Sequence, residues 1–313
     1  MAEREKIAIL IPCYNESLTI TKVIEDYRQQ YPSAKIYVYD NNSTDGTSDI
    51  ARSAGAEVRF TRRQGKGNVV SAMLTDIDAD CYLIADGDDT YPAADTIALV
   101  NDVLRHDIDM AIGDRLSSSY FTENRRPFHN SGNRLVRALI NRLFNSSVND
   151  IMTGSRALSY RFAKNFPALS PGFEIETEMT IHALDKGFNI SEHPVGYRDR
   201  PAGSTSKLNT FRDGLKVLRT IFMLFRDFRP LQFFSAISVV IALISFVMAI
   251  PVFMEYFDTG LVPRFPTLIF SGFLFIFAML LFATGLILDS IKRRDNTAFR
   301  LRIIDFDRFN KQH

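Results

Sequence analysis

Leu83-Ile84-Ala85-Asp86-Gly87-Asp88-Asp89-Thr90 is the stretch on which the fold turns. Its first residues, apolar or small, read as the end of a buried strand. They run directly into three carboxylates around one glycine. In open α/β sheets, ligands bind outside the carboxyl ends of the strands, so this sequence places hard oxygen ligands at that edge. Carboxylates at i and i+2 suit a divalent cation that is also held by substrate phosphates. Taken alone, the same residues also read as a polar turn, because Asp-Gly pairs are common in turns. The flanks decide.

Upstream, Ile7-Ala8-Ile9-Leu10-Ile11 is a continuous apolar strand ending at Pro12. A helix is expected over 16–31, a strand over 35–40, cap and turn chemistry in Asn41-Asn42-Ser43-Thr44-Asp45-Gly46, and a helix to Ala54. A short strand over 57–61 follows, and Gly65-Lys66-Gly67 opens a helix towards Asp78. Tyr82–Ala85 is the fourth strand, a helix covers about 93–105, and Met110–Gly113 is the fifth strand. Strands alternating with helices mean βαβ units and a largely parallel sheet. Strands that are apolar throughout mean a sheet covered on both faces. Beyond Asp114 the pattern loosens into a polar segment, a helix over 132–144, a strand-like segment over 151–158, a helix over 174–186 and a last strand over 189–197.

Charge is nearly balanced: 37 Lys and Arg against 36 Asp and Glu in 313 residues. Bulk charge therefore points to no nucleic-acid partner. Cys13 and Cys81 fall at opposite ends of their strands and read as packed thiols of a cytosolic domain. The charged N-terminus leads straight into a strand and does not read as a signal peptide.

The C-terminal third differs. Residues 231–254 and 267–288 carry no charge, and roughly 20 apolar residues span a bilayer. Lys207 to Phe228 is amphipathic, with Leu208, Phe211, Leu215, Leu218, Phe222 and Phe225 at helical spacing among Lys216, Arg219 and Arg226. Such a basic helix reads as lying on a membrane surface. Basic residues precede the first apolar run and follow the second, so the positive-inside rule places both termini in the cytoplasm, at the inner or plasma membrane. The expected organisation is a cytoplasmic catalytic domain over 1–206, an interfacial helix over 207–229, a transmembrane hairpin over 230–290 and a basic cytoplasmic tail over 291–313.

Three loops converge at the carboxyl edge: Pro12-Cys13-Tyr14-Asn15-Glu16, the turn after Asp40, and Asp86 to Thr90. Gly65-Lys66-Gly67 lacks P-loop spacing, and no G-x-G-x-x-G follows the first strand. Together the motifs resemble the family 2 glycosyltransferases, and within them the polyprenyl-phosphate branch of dolichyl-phosphate mannose synthase and its bacterial relatives. The resemblance covers residues 6–207 and the paired apolar runs. It implies a GT-A fold, an α/β Rossmann-like domain. It also implies nucleotide contacts at Pro12, Tyr14, Asn15, Glu16, Asp40, Asn42, Lys66 and Asp86, and a Mg²⁺ or Mn²⁺ ion on Asp86 and Asp88. Where the family often has Gln as a further metal ligand, this chain has Thr90; Asp89 or water are the other candidates.

Downstream, Gly113-Asp114-Arg115, Asp150-Ile151-Met152-Thr153-Gly154-Ser155-Arg156 and Arg200-Pro201-Ala202-Gly203-Ser204-Thr205-Ser206-Lys207 resemble the family's G-x-R, D-x-x-[ST]-G-x-R and R-x-x-G-x-S-K segments. The implied catalytic set is Asp88, Arg115, Asp150 and Arg200. A lipid phosphate acceptor has a second pKa of about 6; it is already nucleophilic and needs cations to position it. Arg115, Arg125, Arg126, Ser131, Arg156, Arg200, Ser206 and Lys207 are the candidates. Asp150 serves as a base or orients an arginine such as Arg156. Glu176 is a weaker candidate.

The expected activity is metal-dependent, inverting transfer of one sugar from a nucleotide sugar, UDP favoured over GDP, to undecaprenyl or dolichyl phosphate at the cytoplasmic membrane face. Three other readings stand against this one: a processive polysaccharide synthase, disfavoured because that group carries a Q-x-x-R-W motif and this chain has no Trp; a membrane-tethered transferase with a hydroxyl acceptor; and a non-catalytic nucleotide-sugar-binding scaffold. Self-association as a homo-oligomer through the spans is compatible with the sequence.

Overall fold

The computed structural model describes residues 5–117, 127–172, 174–198 and 222–312, and only the backbone of 5, 127–133 and 311–312. The chain divides into two compact units, Met1–Asp213 with Asp305–His313, and Gly214–Ile304.

The first unit is built on a sheet of seven strands: β1 Glu5–Cys13, β2 Lys35–Asp40, β3 Glu57–Phe60, β4 Ala79–Ile84, β5 Met110–Asp114, β6 Arg156–Ser159 and β7 Ile190–Pro194. Their order is β3-β2-β1-β4-β6-β5-β7. β6 is antiparallel to both neighbours, and the other described pairs are parallel. Ala8, Ile9, Leu10 and Ile11 of β1 are fully buried, as a central strand of a two-sided sheet requires. Helices α1 Ile20–Gln30, α2 Thr47–Ser53, α3 Lys66–Asp76, α4 Ile97–Arg105, α5 Pro127–Phe144, α6 Tyr160–Asn165 and α7 Ile175–Lys186 connect and cover it. α1 buries Ile20, Val23, Ile24 and Tyr27, the i, i+3, i+4, i+7 stripe of an amphipathic helix.

From β1 the chain winds outward through β2 and β3, then returns to place β4 on the other side of β1. The crevice outside the ends of β1 and β4 is therefore the topological switch point, where such sheets bind ligands.

Two expectations change. The segment 16–19 is a turn before α1, with Thr19 and Ile20 N–H both donating to the Glu16 carbonyl (3.1 and 3.0 Å). The strand expected over 151–158 is confined to β6, because Met152 N–H folds back on the Asp150 carboxylate (3.2 Å) and breaks the extended run.

The second unit contains the apolar helices α8 Pro230–Thr259 and the membrane-length part of α9 Phe265–Gln312. Both are long and apolar enough to cross a membrane. Ser238 Oγ donates to the Ala278 carbonyl and Ser245 Oγ to that of Ser271, each at 2.7 Å. A Cβ at Gly285 would stand 2.9 Å from Phe234 Cβ. Small residues and short polar links are what let apolar helices approach closely. Residues 222–228 are helical; the rest of the expected interfacial helix up to Ile221 lies outside the described residues.

Through the basic segment that begins at 291, α9 continues to Gln312. No Gly or Pro occurs between Leu286 and Gln312, and Asp289 pairs with Arg293 at 2.8 Å one turn on. Its last residues belong to the first unit, where Asp307 pairs with Arg161 (3.0 Å) and Phe306 stacks on Tyr160 (5.7 Å).

Candidate active site

The loops after β1, β2 and β4 each hold one non-glycine residue in the left-handed region: Asn15 (φ 56°), Asn42 (φ 66°) and Asp89 (φ 56°). Asn and Asp tolerate that region best among side-chain-bearing residues. The first two loops are laced together. Asn15 N–H donates to Ser43 Oγ (2.9 Å), and Asn15 Oδ1 accepts from Thr44 N–H (2.8 Å). Glu16 N–H donates to Thr47 Oγ1 (2.9 Å). Thr19 Oγ1 reaches across to the Gly87 carbonyl (2.6 Å), tying in the β4 loop. Pro12, Asn15 and Glu16 are half-buried and Tyr14 is exposed at this edge.

Asp40 is buried and already engaged: it accepts from Ser43 N–H (3.2 Å) and Ser48 Oγ (2.8 Å), so it organises its own turn. Asn42 donates to Arg62 O and Gln64 Oε1. Asn41, which sequence reading passed over, does more. Its amide bonds the Thr61 and Arg63 carbonyls and the Gly65 N–H, at 2.7–2.8 Å. The Asn41-Asn42 pair inside a cap-rich turn was the available signal.

Asp88 is 5% exposed, and its Oδ1 accepts from Thr90 Oγ1 at 2.7 Å. Thr90 thus orients Asp88 rather than standing apart from it. Asp89 turns to Lys22 (2.8 Å). Asp86 pairs with Lys66 at 2.6 Å, and the same Nζ pairs with Glu176 at 2.6 Å. Burial alone would lower the Lys66 pKa; the two carboxylates overcome it and hold the ammonium above its ordinary value. Burial raises the Glu176 pKa, against the pull of Lys66 and with help from Asp86.

Two backbone contacts build this cluster. A Cβ at Gly154 would collide with the Asp86 carboxylate. A Cβ at Gly67 would collide with the Ser170 carbonyl, and Gly67 N–H donates to Pro171 O (3.0 Å). The glycines around Lys66 are there for close packing.

Glu16, Asp40, Asp86 and Asp88 surround the buried Cys13 thiol; after burial itself, they are what pushes its pKa up. Among the described residues no group of three or more His, Cys, Asp or Glu is arranged to hold a metal ion unaided. Hard carboxylate ligands, Asp86 and Asp88 on one loop among them, nevertheless fit a divalent cation completed by substrate phosphates.

A second cluster lies at the end of β5. Arg115 grips Asp150 with both prongs, Nε to Oδ2 at 2.7 Å and Nη2 to Oδ1 at 3.1 Å, and also bonds the Met152 carbonyl (2.9 Å). Asp150 is 2% exposed. Burial would lower the Arg115 pKa, but Tyr91 and Asp150 raise it and keep the guanidinium charged. The arginine that Asp150 orients is therefore Arg115, not Arg156.

Arg156 corrects the sequence reading. It is fully buried, and its guanidinium bonds Thr153 O (3.0 Å), Ile151 O (2.7 Å) and Thr180 Oγ1 (2.8 Å). Burial lowers its pKa to about 10. It braces the 150–156 turn from within and is not placed to meet an acceptor phosphate. Arg125, Arg126, Arg200, Ser206 and Lys207 lie outside the described residues, and Ser131 is described only as backbone within α5.

Residues 8–166 match the model of Glycosyl transferase family 2. The chain is a family 2 glycosyltransferase. It is 35% identical over 243 residues to Glycosyltransferase AglJ of Haloferax volcanii, covering 76% of this chain and 78% of that protein. It is 30% identical over 217 residues to the dolichyl-phosphate hexose transferase of the same organism, covering 69% of this chain and 92% of that one. In fold it is similar to glucosyl-3-phosphoglycerate synthase from Mycobacterium tuberculosis, crystallised with Mn²⁺, UDP and phosphoglyceric acid. That likeness has a TM-score of 0.55 and 22% identity, and covers 71% of this chain and 78% of the other. The sheet is thus the GT-A arrangement, and the loops at its switch point belong to a glycosyltransferase.

Proposed function

We propose that this glycosyltransferase moves one sugar from a nucleotide sugar, UDP-linked in preference to GDP-linked, to a polyprenyl phosphate at the cytoplasmic face of a membrane, with inversion at the anomeric carbon. The observation that carries the reading is the pairing of two unlike clusters at one sheet edge. Asp86 and Asp88 offer surplus negative charge; Arg115, steered by Asp150, offers a fixed positive one. The printed activity of the dolichyl-phosphate hexose transferase relative and the two membrane-length helices support a lipid phosphate as acceptor.

Asp88 and Asp86 would hold a divalent cation, Mg²⁺ or Mn²⁺, which when bound neutralises charge on the departing diphosphate. Thr90 keeps the Asp88 carboxylate aimed. The loops after β1 and β2 seat the nucleoside. Arg115 positions the acceptor phosphate, whose oxygen is already anionic and attacks without a base. Asp150 stays paired with Arg115, which disfavours it as the general base that a hydroxyl acceptor would need.

The test is a transfer assay on the full chain in detergent. It offers undecaprenyl or dolichyl phosphate with UDP- and GDP-sugars, with and without Mg²⁺ or Mn²⁺. A metal-dependent, acid-labile, lipid-soluble sugar from one UDP donor is expected. Metal-dependent nucleotide-sugar binding without transfer to either lipid would overturn the acceptor assignment.

A further inference from the structure

Glu192 lies on β7, opposite Ile112 of β5, and points at a different segment of the chain. Its Oε1 accepts from Asn149 N–H (2.8 Å) and Asp150 N–H (3.2 Å), and its Oε2 from Asn149 N–H (3.0 Å). The acid sits close to two others. Burial, then Asp114 and Asp150, raise its pKa, while the two backbone N–H groups lower it. A carboxylate placed beside like charges costs free energy, and hydrogen bonds to its charged form offset that cost. Those bonds fix the backbone of Asn149 and Asp150.

We propose that Glu192 is the positioning residue of the Arg115–Asp150 pair: it holds the amides of the segment whose carboxylate aims the Arg115 fork. This rests on the reading of Arg115 as the acceptor-phosphate cation. Two groups act on one short segment. Glu192 takes its N–H groups, and Arg115 takes its side chain and the Met152 carbonyl. Without Glu192, Asn149 and Asp150 can rotate, and the fork keeps its partner but loses its direction. The bond goes to backbone, so the arrangement depends on the residue at 192 and not on the side chain at 149.

The experiment compares wild type, Glu192→Ala and Glu192→Gln as full chains in detergent. The Gln carbonyl oxygen can take the place of Oε1 and keep one bond to each amide, losing only the second bond that Oε2 accepts from Asn149 N–H. Glu192→Ala is expected to raise KM for the polyprenyl phosphate about tenfold while leaving KM for the nucleotide sugar within about twofold, with Glu192→Gln close to wild type. Amide hydrogen exchange over 149–152 should quicken about tenfold in Glu192→Ala and return in Glu192→Gln. Unchanged exchange over that segment, donor and acceptor KM rising together, or Glu192→Gln as impaired as Glu192→Ala would each overturn the assignment. A wild-type chain that glycosylates no lipid phosphate sinks the acceptor reading instead, and the exchange comparison still decides Glu192.

Discussion

The clusters at the ends of β4 and β5 use the same chemistry in different ratios. At β4 one ammonium, Lys66, serves Asp86 and Glu176, and Glu16, Asp40 and Asp88 stand nearby. At β5 one guanidinium grips one carboxylate with two bonds. In the first cluster carboxylates outnumber the one ammonium, and on the proposed reading a divalent cation completes it. In the second, the bidentate pair is matched within itself although Asp114 and Glu192 stand near Asp150, and its bonds set direction. Contacts of nearly equal length, 2.6 Å and 2.7 Å, therefore do different work.

The sharpest way to break the contrast is Asp88→Ala. If the β4 side is the cation side, transfer falls by about a thousandfold or more, and a divalent cation no longer tightens nucleotide binding in titration calorimetry. Nucleotide affinity that still rises with the cation would place the ion away from Asp88.

On the β5 side, Arg115→Met leaves Asp150 buried without its ion-pair partner, held by backbone N–H groups. Breaking one half of such a pair costs about 3 kcal/mol, read as a lower denaturation midpoint of the detergent-solubilised chain. The double variant Arg115→Met/Asp150→Leu should recover part of that loss and no activity. Additive losses would mean that the two residues do not act as a unit.

Gly154→Ala tests whether the two sides touch. The residue belongs to the turn that Asp150 opens, yet its missing Cβ makes room for the Asp86 carboxylate. The Asp86 carboxylate must shift away from its place beside Lys66 to admit the methyl group, so cation-dependent nucleotide affinity should drop by about tenfold. Unchanged affinity would show that Asp86 tolerates displacement.

What could be read in the sequence follows from how local each feature is. The apolar run of β1 and the acidic turn after β4 are contiguous, and both stand where expected. The partnership of Lys66 with Glu176 spans 110 residues and left no local mark. Arg156 misled because a four-residue strand is too short to show which side chains point inward. Burial, invisible in D-x-x-[ST]-G-x-R, turned a candidate phosphate ligand into a brace. α9 ran past its expected end because hydropathy reports the solvent a helix prefers, not where the helix stops. Helices end at Gly, Pro or a cap, and none intervenes.

The smallest effect expected at the β4 side is in pH. Glu176 has its pKa raised in the folded state. Such a group binds its proton more readily folded than unfolded, so its contribution to stability is full below the unfolded carboxylate pKa. It is lost as pH rises through the folded value. Wild type should therefore lose some stability between mildly acidic and neutral pH, and Glu176→Gln should flatten that slope. The β5 side shares this slope through Glu192, whose pKa burial also raises, and not through Arg115, whose guanidinium stays charged throughout the range; the difference between wild type and Glu176→Gln isolates the β4 part. Denaturation midpoints of both chains at pH 5 and pH 8 are the check. Equal slopes would remove Glu176 from the account and leave Lys66 bound to Asp86 as a simple pair, as matched as the one at β5.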